Sequence, residues 1–106
     1  MAAAPLWTDT EAVAATGGTS SAAWAASGVS IDSRSVADGD LFVAIKGPNR
    51  DGHDFAAAAL DGGASATVTH RDVDGLEGHG PVLRVNDTTA ALGDLARAAR
   101  ARSGAK

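Results

Sequence analysis

Residues 41–60 read LFVAIKGPNRDGHDFAAAAL, and this stretch decides the class of fold. Its first five residues are an uninterrupted apolar run of strand length, which is typical of a strand buried on both faces of a sheet. Two Gly, one Pro and one Asn within residues 46–52 predict that a loop follows. A helix is predicted next, because apolar residues recur at helical spacing: Phe55, Ala56, Ala59 and Leu60. Asp54 is the predicted N-cap of this helix, and Gly62-Gly63 is its predicted end.

Two further helices are predicted, one near each end of the chain. Thr8 and Glu11 have the spacing of a capping box, in which each side chain accepts the backbone N–H of the other residue. A short helix is therefore predicted from Asp9 to Thr16, where two glycines end it. Asp87 is the predicted cap of a longer helix that runs to about Arg102.

The segments between these helices predict short strands. Val29 and Ile31 alternate as in a strand that ends in a polar turn, and residues 66–69 and 82–85 predict two more strands. Residues 19–27 are rich in Ser and Ala, and their pattern permits only a weak strand. Strands that alternate with helices of these lengths indicate an α/β fold.

Length and composition limit both the fold and the function. A chain of 106 residues suffices for one domain, and 44% apolar with 21% charged residues is ordinary globular usage. The net charge of -4 disfavours nucleic acid and anionic membranes as partners. The absence of cysteine excludes disulfides, thiolate zinc sites and cysteine nucleophiles. No apolar run approaches the roughly 18 residues of a membrane span, and the first residues lack a signal-peptide pattern, so we expect a cytoplasmic protein.

Loops at the carboxyl ends of strands are the usual ligand-binding places of open α/β sheets. Asp32, Ser33 and Arg34 form the first candidate, with a carboxylate, a hydroxyl and a guanidinium. The alternative interpretation is a surface turn that an ion pair between Asp32 and Arg34 closes, since such residues are common in turns. The residues alone leave both interpretations open.

Residues 47–54 form the second candidate loop, and their glycine spacing imitates a phosphate-binding P-loop. His53 and Asp54 stand where a P-loop needs Lys followed by Ser or Thr, so an autonomous ATPase is not expected. A metal site of Asp51, His53 and Asp54 is less favoured than an aspartate that caps the helix. We therefore predict no metal in this chain.

Other chemistry-bearing residues have ordinary structural interpretations. His70 and His79 are predicted to be exposed loop histidines, whereas Trp7 and Trp24 are predicted to anchor the core. Four of the nine positive residues fall within the last ten positions. There they complement the C-terminus of a helix, and no interleaved aromatic residue indicates nucleic-acid binding.

The order of five short motifs resembles the amino-terminal domain of the Mur ligase family. They are VSIDSR at 29–34, GDLFVAIKG at 39–47, DGHDF at 51–55, GA at 63–64 and DTTAALG at 87–93. The likeness extends from Trp7 to Arg102. It implies an α/β fold in the form of a single small domain, residues 1–106, with a mixed sheet and flanking helices. The central ATP-binding domain and the C-terminal domain of that family are absent from this chain.

The resemblance also implies a function in peptidoglycan synthesis. In this family ATP and Mg²⁺ activate the carboxylate of a UDP-N-acetylmuramoyl-peptide, which an incoming amine then attacks. The likeness is nearest to members that add D-alanyl-D-alanine to the tripeptide, and members that add the third amino acid are the alternative. The resemblance implies that the first domain binds the UDP end of the substrate and that the other two domains bind ATP and D-alanyl-D-alanine. No nucleic-acid or membrane partner is implied.

The resemblance assigns substrate-binding residues but no catalytic or metal-binding residue to this domain. The substrate-binding residues that the resemblance assigns are Ile31, Ser33, Arg34, Lys46, Pro48, Asn49 and Arg50. Ile31 and Ser33 would contact the uridine, since isoleucine can cover a base and a hydroxyl can hydrogen-bond the base edge or the ribose. Arg50, helped by Lys46, would lie near the diphosphate, while Pro48 and Asn49 would line the same pocket.

The remaining residues near these loops leave some choices open. Arg34 either contacts the ligand or braces the turn against Asp32, and His53 is expected to order the second loop. A self-sufficient enzyme is disfavoured because no nucleophile, base and metal constellation is evident. A non-catalytic interaction module with an α/β core remains the third interpretation.

Overall fold

The computed structural model describes residues 7–45, 51–71 and 73–102. Its helices and strands follow in chain order: β1 (Trp7–Thr8), α1 (Asp9–Thr16), β2 (Thr19–Ser20), β3 (Ala25–Ala26), β4 (Gly28–Ser30), β5 (Asp40–Val43), α2 (Ala56–Asp61), β6 (Ala66–Thr69), β7 (Val82–Arg84) and α3 (Thr88–Arg102). Short 3-10 helices occur at Ser33–Ser35, Gly52–Phe55 and Leu76–Gly78. Within these described ranges, no helix has the length and apolar character that crossing a membrane requires.

The main sheet has the strand order β2-β7-β6-β5-β4 and is mixed. Strands β4, β5, β6 and β7 are parallel to their neighbours, whereas the edge strand β2 is antiparallel to β7. In the pair β4 and β5, Val29 lies opposite Leu41 and Ser30 opposite Phe42. Because parallel strands end at the same edge, the chain leaves β4 and β5 at neighbouring positions. Strands β1 and β3 form a separate antiparallel pair.

Two apolar layers cover the sheet, one on each face. Helices α1 and α3 cover the first face, where the core contains Trp7, Ala12, Leu41, Val43, Val68, Leu83 and Leu95. Helix α2 covers the second face, where the core contains Phe42, Ala44, Ala56, Ala59, Leu60, Leu76 and Val82. Successive residues of β5 therefore point into different cores, which explains the uninterrupted apolar run in the sequence.

The ends of the first and last helices are those predicted. Thr8 and Glu11 form the predicted capping box of α1, and Gly17 ends the helix with a positive φ of 74°. Asp87 accepts hydrogen bonds from the backbone of Thr89 and Ala90, at 2.9 and 3.1 Å, as a cap for α3. Trp7 is buried, and its indole Nε1 donates to the carbonyl of Leu95 at 2.9 Å. Trp24 is also buried, so both tryptophans are the core anchors predicted.

The predicted strand ends need small corrections. The strand predicted at 41–45 is β5, which spans Asp40–Val43, and the strand predicted at 82–85 ends at Arg84. Ala44 still donates its N–H to the carbonyl of Val68 at 2.9 Å, so the apolar run stays against the sheet. The ambiguous stretch 19–27 contains two strands of two residues each, β2 and β3.

The predicted N-cap at Asp54 is wrong. Asp54 lies inside the 3-10 helix Gly52–Phe55, and the cap is Asp51, whose Oδ1 accepts the backbone N–H of His53 at 3.0 Å. An aspartate readily accepts the N–H two residues further on, and this local bond starts the turn earlier than apolar spacing suggests. Helix α2 begins only at Ala56.

Candidate functional site

A hollow of about 310 Å³ lies beside the turn that follows β4, and we call it the β4 hollow. Its lining residues are Ile31, Asp32, Ser33, Phe42 and Phe55. Phe42 is 1% exposed, whereas Ile31 and Phe55 are 57% and 37% exposed. Apolar surface therefore lines the hollow on more than one side, and the Ser33 hydroxyl adds a donor and an acceptor.

The turn that bounds the hollow is fixed by its own polar groups. Asp32 Oδ1 accepts the backbone N–H of Arg34 at 2.9 Å, which caps the 3-10 helix Ser33–Ser35. The guanidinium of Arg34 donates to both carboxylate oxygens of Asp32 at 3.0 Å. These hydrogen bonds and the charge of Asp32 raise the pKa of Arg34, which stays charged in any case. The predicted Asp32–Arg34 pair is thus present, and the same turn lines the hollow.

Four of the predicted site residues lie outside the described residues. They are Lys46, Pro48, Asn49 and Arg50. The chain on either side of them is described, and the backbone N–H of Gly52 donates to the carbonyl of Ile45 at 2.9 Å. A Cβ atom on Gly52 would lie only 2.8 Å from the backbone nitrogen of Ile45. The two ends of this segment are therefore in contact, close to the end of β5.

His53 is buried and uses both of its ring nitrogens. Its Nδ1 lies 2.6 Å from Asp51 Oδ1, and its Nε2 accepts the backbone N–H of His70 at 3.0 Å. Burial lowers the pKa of His53, while the hydrogen bond and charge of Asp51 oppose that shift. The prediction that His53 orders this part of the chain is consistent with these contacts.

The neighbouring acidic residues are also paired. Burial by itself would raise the pKa of Asp51, but hydrogen bonds from His53 and Arg71 leave it well below its usual range. Arg71 Nη2 lies 3.2 Å from Asp51 Oδ2 and 3.6 Å from Asp54 Oδ1. Within ranges 7–45, 51–71 and 73–102, no three His, Cys, Asp or Glu side chains are grouped to hold a metal ion.

The two loop histidines differ in their surroundings. The exposed ring of His79 lies 2.8 Å from Asp61, so it is a surface residue as predicted. His70 is half-buried, and its ring stands edge-on to His53 with centroids 4.3 Å apart. The prediction of an exposed His70 is wrong, because sequence spacing does not show that β6 ends beside the turn after β5.

A second hollow of about 390 Å³ contains none of the predicted site residues, and we call it the β7 hollow. Its lining residues are Thr19, Ser20, Ser21, Thr69, Arg71, Val73, Asp74, Gly75, Leu76, Glu77, Val82 and Arg84. Two arginines face two carboxylates there, so the lining favours neither a cation nor an anion. The β4 hollow is the better candidate for the functional site because both predicted site residues and apolar side chains line it.

Phe42 and Phe55 line the β4 hollow, although the sequence did not predict them as site residues. The sequence pattern predicts that Phe42 is a core residue. In the sheet, Phe42 of β5 pairs with Ser30 of β4, which places it beside the turn that follows β4. Phe55 reads as the first apolar residue of a helix, yet it ends the preceding 3-10 helix with its ring partly exposed. The position of this aromatic residue directly after the second candidate loop was the signal that could have marked it.

Known proteins with related sequences are peptidoglycan ligases. The chain is 44% identical over 70 residues to the UDP-N-acetylmuramoyl-L-alanyl-D-glutamate–2,6-diaminopimelate ligase of Syntrophomonas wolfei. The aligned stretch covers 66% of this chain and 14% of that protein. The chain is also 44% identical over 71 residues to the UDP-N-acetylmuramoyl-tripeptide–D-alanyl-D-alanine ligase of a Synechocystis strain, covering 67% of this chain and 16% of that protein. The chain thus spans about one sixth of the length of these curated relatives.

Solved structures of MurF share this fold. The crystal structure of MurF from Acinetobacter baumannii matches 91% of this chain and 21% of its own, with a TM-score of 0.76 and 29% identity. The MurF ligase from Thermotoga maritima in complex with ADP matches 71% of this chain and 17% of its own, with a TM-score of 0.60 and 33% identity. The family model described as the catalytic domain of the Mur ligase family matches residues 25–100. Because this match includes more than half of the sequence, the chain belongs to the Mur ligase family.

Proposed function

We propose that these 106 residues are the amino-terminal, substrate-binding domain of a MurF-like ligase and that the β4 hollow binds the uridine of UDP-N-acetylmuramoyl-tripeptide. The observation that carries this proposal is the β4 hollow, which Ile31 and Ser33 line together with two aromatic rings. Its volume of about 310 Å³ lies at the lower end of small-molecule sites, which are about 300–1,000 Å³. A nucleoside is a ligand of suitable size.

The chemistry of the lining suits a pyrimidine nucleoside. Ile31 and Phe55 offer partly exposed apolar surface that can cover the faces of a flat base. The Ser33 hydroxyl can donate to or accept from the base edge or the ribose. Pro48 and Asn49 complete the proposed pocket from the second loop, while Arg50 and Lys46 supply positive charge for the diphosphate. Arg34 braces the turn through two hydrogen bonds to Asp32, and its remaining N–H donors would be free to contact the ligand.

The proposed reaction belongs to the whole protein and takes place in the cytoplasm. ATP and Mg²⁺ would activate the carboxylate of the tripeptide in a central domain, and D-alanyl-D-alanine would attack it. This chain would hold the nucleotide end of the substrate and thereby position the distant carboxylate. It contains no Gly-x-x-x-x-Gly-Lys-Ser/Thr motif of its own.

A MurE-like ligase, which adds the third amino acid, is the second candidate. It is favoured by one observation, the equal 44% identity of the chain to a diaminopimelate ligase and to a D-alanyl-D-alanine ligase. The MurF crystal structures favour the first candidate. Product formation by the whole protein with D-alanyl-D-alanine, and none with a diamino acid, would support the MurF-like assignment; the reverse result would contradict it.

Nucleotide titration of the ¹⁵N-labelled chain tests the proposed pocket. UMP is expected to shift the amide signals of Ser33, Asn49 and Arg50 more than CMP or AMP does, because the proposed ligand of the pocket is a uridine nucleotide. Two-dimensional NMR spectra at matched nucleotide concentrations provide the measurement. Equal shifts for the three nucleotides would remove the uridine assignment, and no shift with any of them would favour a non-catalytic interaction module.

We expect no catalytic turnover by the isolated chain. Mixed with ATP, Mg²⁺, the nucleotide-sugar peptide and D-alanyl-D-alanine, it should release no more inorganic phosphate than a protein-free blank, because it lacks a P-loop. A colorimetric phosphate assay makes the comparison, with the whole ligase as the positive control. Phosphate release above the blank would show that the chain carries catalytic machinery of its own.

A further inference from the structure

We infer that His53 is a positioning residue for nucleoside binding: as a neutral imidazole with its proton on Nδ1, it ties the 3-10 helix that carries Phe55 to the carboxyl end of β6. This inference rests on the proposed uridine site. His53 and Phe55 belong to the same short helix, Gly52–Phe55. Phe55 lines the β4 hollow, whereas His53 points into the protein and is 1% exposed.

The hydrogen bonds of the ring determine where its proton lies. The backbone N–H of His70 can only donate, so His53 Nε2, 3.0 Å away, must present a lone pair. The other nitrogen, Nδ1, then carries the hydrogen and donates it to Asp51 Oδ1 at 2.6 Å. One neutral ring therefore connects the cap of the short helix to the residue that follows β6.

Two further contacts hold the short helix, and neither joins it to the end of β6 through a buried group. The Gly52 N–H fixes its start to Ile45, near the end of β5. The Arg71 side chain links β6 to Asp51 and Asp54, but it is 43% exposed, and water weakens such ion pairs. His53 is thus a buried connection between the short helix and the end of β6, and we infer that it helps to set the position of the Phe55 ring.

A second ring proton would break this connection. It would place an N–H of His53 against the N–H of His70, and two donors cannot bond each other. The groups that face the ring are the Asp51 carboxylate, the His70 ring and the Arg71 guanidinium. Burial, followed by the charges of His70 and Arg71, outweighs the attraction of Asp51 and lowers the pKa of His53.

The sign of the pH dependence follows from this direction. The pKa of His53 in the folded chain is below its ordinary value of about 6.5, so the unfolded chain binds the proton first as the pH falls. The stability that His53 contributes is fully present above about pH 6.5 and is lost as the pH falls from there through its folded pKa. Nucleoside affinity should decline as folded His53 becomes protonated. Asp51 stays ionised throughout this range because its own pKa is far lower.

The test combines ring-nitrogen NMR with uridine titration between about pH 7.5 and about pH 4.5. Uridine is chosen because it has no phosphate that titrates in this range. Long-range ¹H–¹⁵N spectra report the tautomer and protonation of His53, and circular dichroism reports whether the chain stays folded. The variant His53→Gln is compared with His79→Gln, which replaces an exposed ring that lies against the surface residue Asp61.

The expected result has three parts. His53 is neutral with its proton on Nδ1 at about pH 7.5, and uridine affinity falls in step with its protonation. His53→Gln binds uridine about five-fold more weakly, as loss of one hydrogen bond implies, and its affinity no longer follows the His53 titration. His79→Gln behaves as the unaltered chain. If His53→Gln does not fold, the titration of the unaltered chain still decides the matter.

Other results would overturn either the inference on His53 or the proposed function. A proton on Nε2 or a charged ring at about pH 7.5 would overturn the inference, as would a uridine affinity that ignores the protonation of His53. Absence of uridine binding at every pH would contradict the proposed function instead. In that case, hydrogen exchange of the His70 amide, expressed as a protection factor relative to the intrinsic rate at each pH, decides the positioning role: protection that falls as His53 is protonated supports it, and unchanged protection overturns it.

Discussion

Phe42→Ala is expected to lower the free energy of unfolding by about 3–5 kcal/mol, the usual cost of removing a buried phenylalanine. Phe42 is 1% exposed and packs between the sheet and helix α2. Its removal leaves a cavity in a core where three of the six other buried residues are alanines, which have no long side chains to fill it. Urea unfolding followed by circular dichroism measures the loss. A domain of this size has about 5–15 kcal/mol in total, so the variant should be close to unfolding.

Phe55→Ala is the matched control for Phe42→Ala. The Phe55 ring lines the same hollow but is 37% exposed, so its removal should cost only about 1–2 kcal/mol of unfolding free energy. The variant should nevertheless bind uridine more weakly, because the base loses an apolar wall. Equal destabilisation by the two substitutions would contradict the assignment of Phe42 to the core and Phe55 to the pocket.

Gly52→Ala is expected to cost about 1–3 kcal/mol of unfolding free energy, as overpacking usually does. The added Cβ atom would lie 2.8 Å from the nitrogen of Ile45 and 3.0 Å from the Cα of Ala44. Both neighbours are backbone atoms, so the short helix must move away from the end of β5. Urea unfolding measures the cost, and the carbonyl ¹³C signal of Ile45, which accepts the N–H of residue 52, should shift as that hydrogen bond lengthens.

Gly78→Ala is the corresponding control for Gly52→Ala. Gly78 also belongs to a 3-10 helix, but a Cβ atom there would meet nothing within 4 Å. Its effect on the free energy of unfolding should stay within about 0.5 kcal/mol, as for other surface substitutions. If the two alanine variants were equally stable, the close approach of Gly52 to β5 would not constrain the fold.

The elements of the fold were predictable where a local signal defines them. Helix α1 follows from the reciprocal capping of Thr8 and Glu11, and β5 follows from an apolar run with no polar interruption. The three strands of two residues, β1, β2 and β3, were not predictable. Residues 19–20 become a strand because β7 lies beside them, which is a tertiary contact that local composition does not encode.

The candidate site was predictable only in part, and for the same reason. Ile31 and Ser33 follow from motifs contiguous in sequence, whereas Phe42 joins them through the register of β4 against β5. The contact of His53 with His70 joins residues 17 positions apart and depends on the order of β5 and β6 in the sheet. Sequence spacing gives no access to that order, so the buried histidine pair could not be found before the fold.

The central claim is that the turn at residues 31–34 and the segment at residues 46–50 form one pocket for a pyrimidine nucleoside. Intermolecular nuclear Overhauser effects between uridine and the isotope-labelled chain test it most directly. The base protons of uridine are expected to give cross-peaks to Ile31 and Phe55 and also to residues within 46–50. Cross-peaks to only one of the two segments, or to the β7 hollow around Thr69 and Val82, would contradict the claim.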